Sequence, residues 1–391
     1  MIVRFFSSSE FARNRSLAAA ILCAGLAGCG FGLLMPLVAL NLEAMTGSGA
    51  LVGYNAAAAA LSTIVATPLV PLLLSRFPAR TVIVCCAIII GVGVIAFPLL
   101  PIVAVWFIIR FTIGMPVTVI FVASETWINQ LAKPESRASL LAVYASVLSA
   151  GFGSGGLILA ALGAEGLAPW IAGASIYFIG AIPILLLKGP DLVPPEPGEA
   201  GPRAMVMAAR LAPAAILAGL VFGALETGIF ALFPVYAARL GLSTSAVGIL
   251  MAIAALGGIM LQFPLGKLAD RIGKMRTLRL AALATFLICA GLGLVGNLVW
   301  AIAVLVFLFV GLATGFYTIG LALMGDRVSP SALASANAAF IFVYGIGAFM
   351  GPVGAGYAMD VFNPFGLVWA FAGFAAGFLV LTVFEKDTPK H

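Results

Sequence analysis

Long apolar segments alternate with short polar links along the whole chain. Each segment is close to the ~20 residues that cross ~30 Å of hydrocarbon as a helix. None shows the ten-residue alternation of a barrel strand, so the pattern predicts a polytopic helical membrane protein, whose helices satisfy their own backbone in lipid. The twelve predicted spans cover 17–42, 50–74, 81–99, 103–127, 138–162, 168–187, 211–238, 245–266, 278–297, 299–324, 335–358 and 365–384.

The basic residues fall almost entirely on one side of these spans. Of 20 Lys and Arg, 18 lie in one set of links, Arg239 lies in the opposite set, and Arg110 lies within a span. The positive-inside rule makes the basic side cytoplasmic and places both termini there. The net charge of +6 therefore reflects membrane topology, and we expect no nucleic-acid partner. Tryptophans near span ends predict an interfacial belt: Trp106, Trp127, Trp170 and Trp300.

The composition excludes several classes of protein. Hydrophobic residues make up 63% of the chain and charged residues 9%, against roughly 25% charged in soluble domains. The single histidine is His391, and the five cysteines lie in apolar segments without metal-ligand spacing. We therefore expect no metal and no cofactor. There is no nucleophile–base set and no ATP-binding motif, so we expect no enzymatic activity.

A polar stretch over 188–210, rich in proline and acids, is predicted to be a cytoplasmic linker. It separates an N-terminal bundle, 1–187, from a C-terminal bundle, 211–391, each with six spans. The two halves repeat at an offset near 195: Val52-Gly53 matches Val247-Gly248, and Val143-Tyr144 with Gly151 matches Val343-Tyr344 with Gly351. A parallel repeat of this kind is typical of secondary transporters, whose substrate site lies between the halves.

The link between spans eight and nine, 266–275, reads GKLADRIGKM. This motif resembles the loop motif of the major facilitator superfamily. Arg110 with Gly114 in span four, and the glycine-proline run over 347–356, resemble two further motifs of that family. The resemblance implies twelve transmembrane helices in two pseudo-symmetric bundles, with spans one, four, seven and ten lining a central cavity. The segment SETWIN at 124–129 resembles a bacterial sub-group called YcaD-like.

The resemblance also implies a cytoplasmic gate. Asp270 would face the start of span five, around Arg137 and Ser139, when the cytoplasmic side closes. Gly266 and Gly273 suit a tight turn and close backbone approach. The alternative is that Asp270 is a solvated charge paired with Arg271. In the first-half copy Ser75 replaces the acid, so a gate there would be weaker. The predicted gating residues are Gly266, Asp270, Arg271, Gly273, Ser75 and Arg76.

Charges within spans are few, and each costs about 2.5–3.5 kcal/mol at a helix centre. Arg110 in span four and Glu226 in span seven are both predicted at ~8–10 Å below the outer face. They could form an ion pair across the halves, or an anion site beside a protonatable acid. Alternatively, Arg110 binds carbonyls of its own half and Glu226 is a permanently protonated structural acid. Glu125 either takes part in coupling or reaches to the inner interface beside Trp127.

These features predict a secondary active transporter that works by alternating access and is driven by protons. A lining with few polar groups favours a small amphipathic or weakly anionic organic substrate, with efflux favoured over uptake. The alternatives are uptake of a small organic anion or sugar by proton symport, or a non-transporting receptor. We expect a monomer in the bacterial cytoplasmic (inner) membrane, with lipid, protons and a small molecule as partners. The predicted cavity-lining residues are Asn41, Thr112, Thr118, Thr227, Tyr236, Thr314, Tyr317 and Thr318.

Overall fold

A computed structural model describes residues 8–132, 137–187, 189–192, 206, 210–328, 333–383 and 385. Within these ranges the regular structure is helical. The helices are α1 (Ser8–Thr46), α2 (Gly49–Ala66), α3 (Val70–Arg76), α4 (Ala79–Leu99), α5 (Val103–Leu131), α6 (Arg137–Leu162), α7 (Ala168–Leu186), α8 (Pro213–Arg239), α9 (Thr244–Ile272), α10 (Lys274–Leu294), α11 (Val299–Arg327), α12 (Leu333–Val361) and α13 (Gly366–Thr382).

The predicted spans correspond to these helices in order. In the described part of the chain, 11 helices are long and apolar enough to cross a membrane, and Gly366–Thr382 is a shorter apolar helix of 17 residues. The prediction of an all-helical membrane fold with twelve spans is therefore confirmed. Several helices extend beyond the apolar segments, because hydropathy marks the lipid-embedded part and not the end of the hydrogen-bonded helix.

The second span is not one continuous helix. A 3₁₀ turn, Thr67–Leu69, separates α2 from α3. Pro68 and Pro71 lie at this break, and each removes a backbone N–H and blocks the preceding turn of a regular helix. The hydroxyl of Thr67 donates to the carbonyl of Thr63 at 2.7 Å, which satisfies an oxygen near the interruption.

The chain divides into two compact units that differ from its two sequence halves. The first unit is drawn from 1–34, 62–155 and 165–198, and the second from 35–61, 156–164 and 199–391. Helices α1, α2 and α6 thus contribute to both units. The bundles predicted from the repeat, 1–187 and 211–391, stay a prediction.

In the first unit, α1 packs against α6 through glycines. A Cβ atom on Gly151 would collide with the carbonyl oxygen of Gly25, and one on Gly155 would collide with the backbone around Cys29. The aromatic core of the same unit joins Phe97 to two tryptophans. The ring centroid of Phe97 lies 5.0 Å from that of Trp106 and 5.4 Å from that of Trp170.

This packing corrects the predicted tryptophan belt. Trp106, Trp127 and Trp170 are each buried to 2% exposure or less, whereas Trp300 is 71% exposed. The indole N–H of Trp106 donates to the carbonyls of Phe97 and Leu100 at 3.1 and 3.0 Å. Position near a span end is therefore compatible with burial against other helices, and three of the four residues serve the protein core.

Arg80, on the side predicted to be cytoplasmic, joins several helices of the first unit. Its guanidinium donates to the carbonyl of Ile184 at 2.8 Å and to the hydroxyl of Ser16 at 2.9 Å. It also lies 4.7 Å from the ring centroid of Trp127. The indole of Trp127 and the hydroxyl of Ser16 both donate to the carbonyl of Pro190. The start of the predicted linker is therefore bonded to α1, α4 and α5.

In the second unit, α8 and α12 make the corresponding contact. A Cβ atom on Gly223 would collide with the carbonyl oxygen of Tyr344, and one on Gly347 would collide with that of Leu220. Gly351, the repeat partner of Gly151, meets Ala224 in the same way. Backbone-to-backbone contact of this kind is how small residues drive helix association in lipid.

We predict that Gly347→Ala destabilises the protein while Gly354→Ala, in the same helix, does not. Gly347 faces the backbone of α8, so an added methyl group should cost about 1–3 kcal/mol through overpacking. Nothing lies within 4 Å of a Cβ atom on Gly354, where alanine is expected to be neutral or slightly favourable. Thermal unfolding midpoints in detergent measure both. Equal midpoints for the two variants would contradict the packing described for α8 and α12.

Candidate functional site

The predicted acid of span seven has a defined partner. Glu226 lies on α8, and the hydroxyl of Tyr344 on α12 donates to its Oε2 at 2.9 Å. The glycine contact between α8 and α12 brings these side chains together, because Gly223 meets the backbone of Tyr344 itself. Glu226 is half-buried. Tyr344 thus holds the carboxylate, and the residue as a whole keeps some exposed surface.

The tyrosine that donates to this carboxylate belongs to a cluster of aromatic rings. Phe222 precedes Glu226 by one helical turn, and its ring centroid lies 5.5 Å from Tyr344 and 5.2 Å from Tyr317. Tyr317 in turn lies 5.7 Å from Phe340. Aromatic walls with a few polar groups are typical of small-molecule sites. Such an arrangement can contact an apolar ligand body and can exchange a proton at a single carboxylate.

Arg110 lies in the other compact unit and is enclosed there. It is 3% exposed on α5 and interacts electrostatically with Tyr177 on α7. The ring of Tyr177 fills the space that a side chain at Gly30 of α1 would need. This placement matches the alternative in which Arg110 acts within its own half. A direct pair with Glu226 stays a proposal.

The remaining charged candidate, Glu125, is exposed near the inner end of α5. The neighbouring residue Ser124 is fully buried. Glu125 therefore lies on a face of α5 that points away from the protein core, whereas Ser124 faces the core. Its exposure is compatible with either of the roles predicted for Glu125.

Two of the predicted cavity residues are buried in the protein core. Tyr236 is fully buried, and its hydroxyl donates to the carbonyl of Leu292 at 2.9 Å. Thr118 is 5% exposed and donates to the carbonyl of Gly114, with the hydroxyl of Thr63 also at 3.0 Å. These two residues do not line a cavity in this structure, because their surfaces and polar atoms are already used by neighbouring helices.

The other cavity candidates keep some exposure. Asn41 is half-buried and donates to the carbonyls of Leu37 and Ala164, both at 2.9 Å. Thr314 and Thr318 are half-buried and bond to carbonyls of their own helix. The set is completed by half-buried Thr227 and by exposed Thr112 and Tyr317.

The predicted gate motif is mostly helical. Helix α9 continues to Ile272, so Gly266 lies inside a helix with open space around it and does not form the predicted turn. Gly273 does: its φ of 97° ends α9 and starts α10, a conformation that strongly favours glycine. Asp270 and Arg271 are exposed. The side chains of the predicted partners Arg137 and Ser139 lie outside the described residues.

The first-half copy of the motif differs in its contacts. Ser75 on α3 donates to the carbonyl of Leu72 at 2.9 Å, and both Ser75 and Arg76 are exposed. A further inner acid of the second half, Asp326, is paired with Lys274. Asp270 is therefore the exposed acid of the motif, while Asp326 already has a cation at the start of α10.

Tyr344 was not among the predicted site residues. Its sequence signal is the repeat, in which Tyr344 matches Tyr144. The repeat relates equivalent positions of the two halves and not residues in contact, so it did not indicate a contact with Glu226. Only the register of α8 against α12 reveals that contact.

The described helices define a multi-pass helical membrane protein, in which the hydroxyl of Tyr344 and the carboxylate of Glu226 meet between two of the helices. The sequence profile of the Major Facilitator Superfamily matches residues 20–352, and the chain belongs to this superfamily. The resemblance drawn from the 266–275 motif is thereby confirmed.

Bacterial relatives of this chain are named as transporters of the same superfamily. The chain is 27% identical over 347 residues to the uncharacterized MFS-type transporter YfkF of Bacillus subtilis (strain 168), covering 88% of each chain. It is 27% identical over 265 residues to the uncharacterized MFS-type transporter YcaD of Shigella flexneri serotype 5b (strain 8401), covering 66% of each. The similarity to the YcaD sub-group indicated by SETWIN is confirmed.

Solved structures share the fold. A crystal structure of the nucleoside transporter NupG superposes with a TM-score of 0.76 at 17% identity, covering 96% of this chain and 99% of that one. A bacterial homolog of the human lysosomal transporter Spinster, in an inward-facing and unoccupied conformation, superposes with a TM-score of 0.72 at 17% identity, covering 96% of each. At this identity the likeness establishes the fold alone.

Proposed function

We propose that the chain is a proton-driven secondary active transporter that works by alternating access. The observation that carries the proposal is Glu226, a half-buried acid in the middle of a membrane helix, whose carboxylate accepts a hydrogen bond from Tyr344, and the ring of Tyr344 packs against Phe222. Intramembrane acids of this kind are typical of proton relays. The excess of basic residues in alternate links supports a bacterial cytoplasmic membrane location with cytoplasmic termini.

The proposed substrate is a small amphipathic or weakly anionic organic compound, and the proposed direction is efflux. Tyr317 is exposed and Tyr344 is half-buried, and both rings pack against buried Phe222, one turn before Glu226 on α8. Tyr236 and Thr118, which would have added polar groups, bond to protein instead. A lining of this composition favours an apolar body with few hydrogen-bonding groups over a sugar.

In this mechanism Glu226 carries the coupled proton. Protonation removes the charge and turns one carboxyl oxygen from an acceptor into a donor. The hydroxyl of Tyr344 keeps the carboxyl oriented in both forms, since it can also accept a hydrogen bond. Substrate that binds against the aromatic rings would then favour one protonation state over the other. Exchange of substrate between the two sides needs no net proton movement, whereas accumulation driven by a pH gradient does.

We predict that Glu226→Gln abolishes transport driven by a pH gradient and preserves substrate counterflow. Glutamine keeps the size and an acceptor for Tyr344 but cannot exchange a proton. The measurement compares gradient-driven flux with counterflow in the same proteoliposomes, using substrates found by a thermal-shift screen. Glu165→Gln, at the exposed acid between α6 and α7, serves as the matched control. If Glu226→Gln leaves both activities unchanged, the acid is structural; if it removes counterflow as well, Glu226 binds substrate directly.

We also propose that Arg110 is the partner of Glu226 or the counter-ion of the substrate during the cycle. Arg110→Lys keeps the charge but loses the planar guanidinium fork, so the KM for counterflow is expected to rise about tenfold. Thermal unfolding of the same variant provides the control. An unchanged KM together with a lowered midpoint would mean that Arg110 only stabilises the first unit beside Tyr177.

The proposed cytoplasmic gate gives a separate prediction for Asp270. Asp270→Asn should weaken closure at the cytoplasmic side and increase the inward-open population, because the amide lacks the charge that favours a helix N-terminus. The reporter is Thr318→Cys on α11, in a background without the native cysteines, labelled by a maleimide from the cytoplasmic side. Asp326→Asn is the charge-matched control. Labelling at the parental rate in Asp270→Asn would mean that Asp270 is a solvated charge.

A further inference from the structure

Arg239 was notable in the sequence as the basic residue on the otherwise acidic outer side. In the structure it is the last residue of α8 and half-buried. It donates from Nε to Glu43 Oε1 at 2.8 Å and from Nη2 to Asp360 Oδ1 at 3.0 Å. Its Nη1 also donates to the carbonyl of Met359 and the side-chain oxygen of Asn363. One guanidinium thus joins α1, α8 and α12.

Asp360 has a second set of donors at the start of α2. The backbone N–H groups of Gly49 and Ala50 donate to its carboxylate at 2.7 and 2.9 Å, and the hydroxyl of Ser48 donates at 2.8 Å. The first N–H groups of a helix have no partner within it and carry its positive dipole end. Asp360, from α12, therefore caps a helix that lies more than 300 residues earlier in the chain.

The position of Asp360 in its own helix is unfavourable. It lies in the last turn of α12, where the dipole disfavours an acid. Its stabilising interactions therefore come from Arg239 and from the start of α2. By contrast, Arg239 is favourable at the C-terminal end of α8. This asymmetry indicates that the acid at 360 serves the contact between helices.

Glycines let these helix ends meet. A Cβ atom on Gly356 would collide with the carbonyl oxygen of Gly49, and one on Gly53 would collide with that of Pro352. Helices α2 and α12 are in backbone contact immediately beneath the charged groups. The polar network thus lies at one end of the crossing between α2 and α12. At Gly356 and Gly53 the two backbones touch directly.

We propose that Glu43, Arg239, Asp360 and residues 48–50, here called the outer latch, hold the outer side of the transporter closed and must separate in each cycle. The residues come from the first two and the seventh and eleventh spans, so opening on the outer side pulls the network apart. The inference rests on the alternating-access function proposed above. Asp360 is its central residue, because it binds both the cation and the helix start.

The test follows the exposure of a thiol below the latch. Ala57 lies one turn after Gly53 on α2 and is 1% exposed. In a cysteine-free background carrying Ala57→Cys, a membrane-impermeant maleimide is added from the outer side in the absence of substrate. Asp360→Asn is expected to raise the labelling rate about tenfold, since it loses charge-assisted bonds from Arg239 and from α2. Glu43→Gln, which weakens only the bonds from Arg239 to position 43, is expected to raise the labelling rate less.

Glu165→Gln is the matched control, because Glu165 is an exposed acid between α6 and α7 on the same side. It should leave the labelling rate unchanged. Parental labelling rates in both Asp360→Asn and Arg239→Gln would overturn the latch. Equal increases in Asp360→Asn and Glu165→Gln would overturn it too, because the effect would then be general electrostatics.

A second reporter separates opening of the latch from unfolding and from failure of the proposed function. Under alternating access, Asp360→Asn should also slow the labelling of Thr318→Cys from the cytoplasmic side. Faster labelling at both reporters would mean loss of structure and would overturn the latch as its cause. Faster outer labelling with unchanged inner labelling would support the latch but contradict alternating access.

Discussion

Backbone contact between helices at glycine is the interaction on which the rest of this structure depends. Lipid supplies no hydrophobic force between transmembrane helices, so their association relies on close packing and interhelical polar bonds. At Gly347 and Gly223 the backbones of α8 and α12 touch, and this fixes which residues face each other. Tyr344 reaches Glu226 as a consequence of that register. The same type of contact recurs between α1 and α6 at Gly151, so both halves use one packing rule.

The polar residues occupy the positions that this packing leaves. Arg80 is bonded at the inner end of the first unit and Arg239 at the outer end of the second, each by carbonyls as well as side chains. An arginine is suited to both places because its five donors can satisfy several helix ends at once. Glu226 lies within a span, where the hydroxyl of Tyr344 donates to its carboxylate. The two arginines therefore join helix ends, whereas the acid within the span is bonded to a side chain of a neighbouring helix.

The sequence predicted the spans and the acid at 226 because single-residue chemistry determines them. A run of apolar residues and a charge inside that run are visible without knowledge of contacts. Tyr344 and the outer latch were not predictable in this way, since Glu43, Arg239 and Asp360 are far apart in the chain and meet only after folding. Gly266 was placed in a turn because glycine suits a turn and begins the loop motif, but the residues that follow continue the helix to Ile272. Tyr236 and Thr118 were assigned to a cavity by residue type, which does not distinguish a free hydroxyl from one bonded to a carbonyl.

The gate proposed at Asp270 and the proposed outer latch rely on the same physical element, a carboxylate that faces the start of a helix. For Asp270 this role is implied by the family motif, whereas Asp360 makes those bonds directly to Gly49 and Ala50. A carboxylate–helix contact is directional, is lost over a few ångströms, and leaves both partners hydrated when it separates. It is therefore well suited to an end that opens and closes at the membrane surface. The glycine contacts between α2 and α12 add close packing without interdigitated side chains. The two helices can therefore separate without moving a side chain out of a groove. If Asp270 and Asp360 act in this way at opposite faces, the relative strength of the two contacts sets which side is open at rest, and Glu226 has only to respond to that balance.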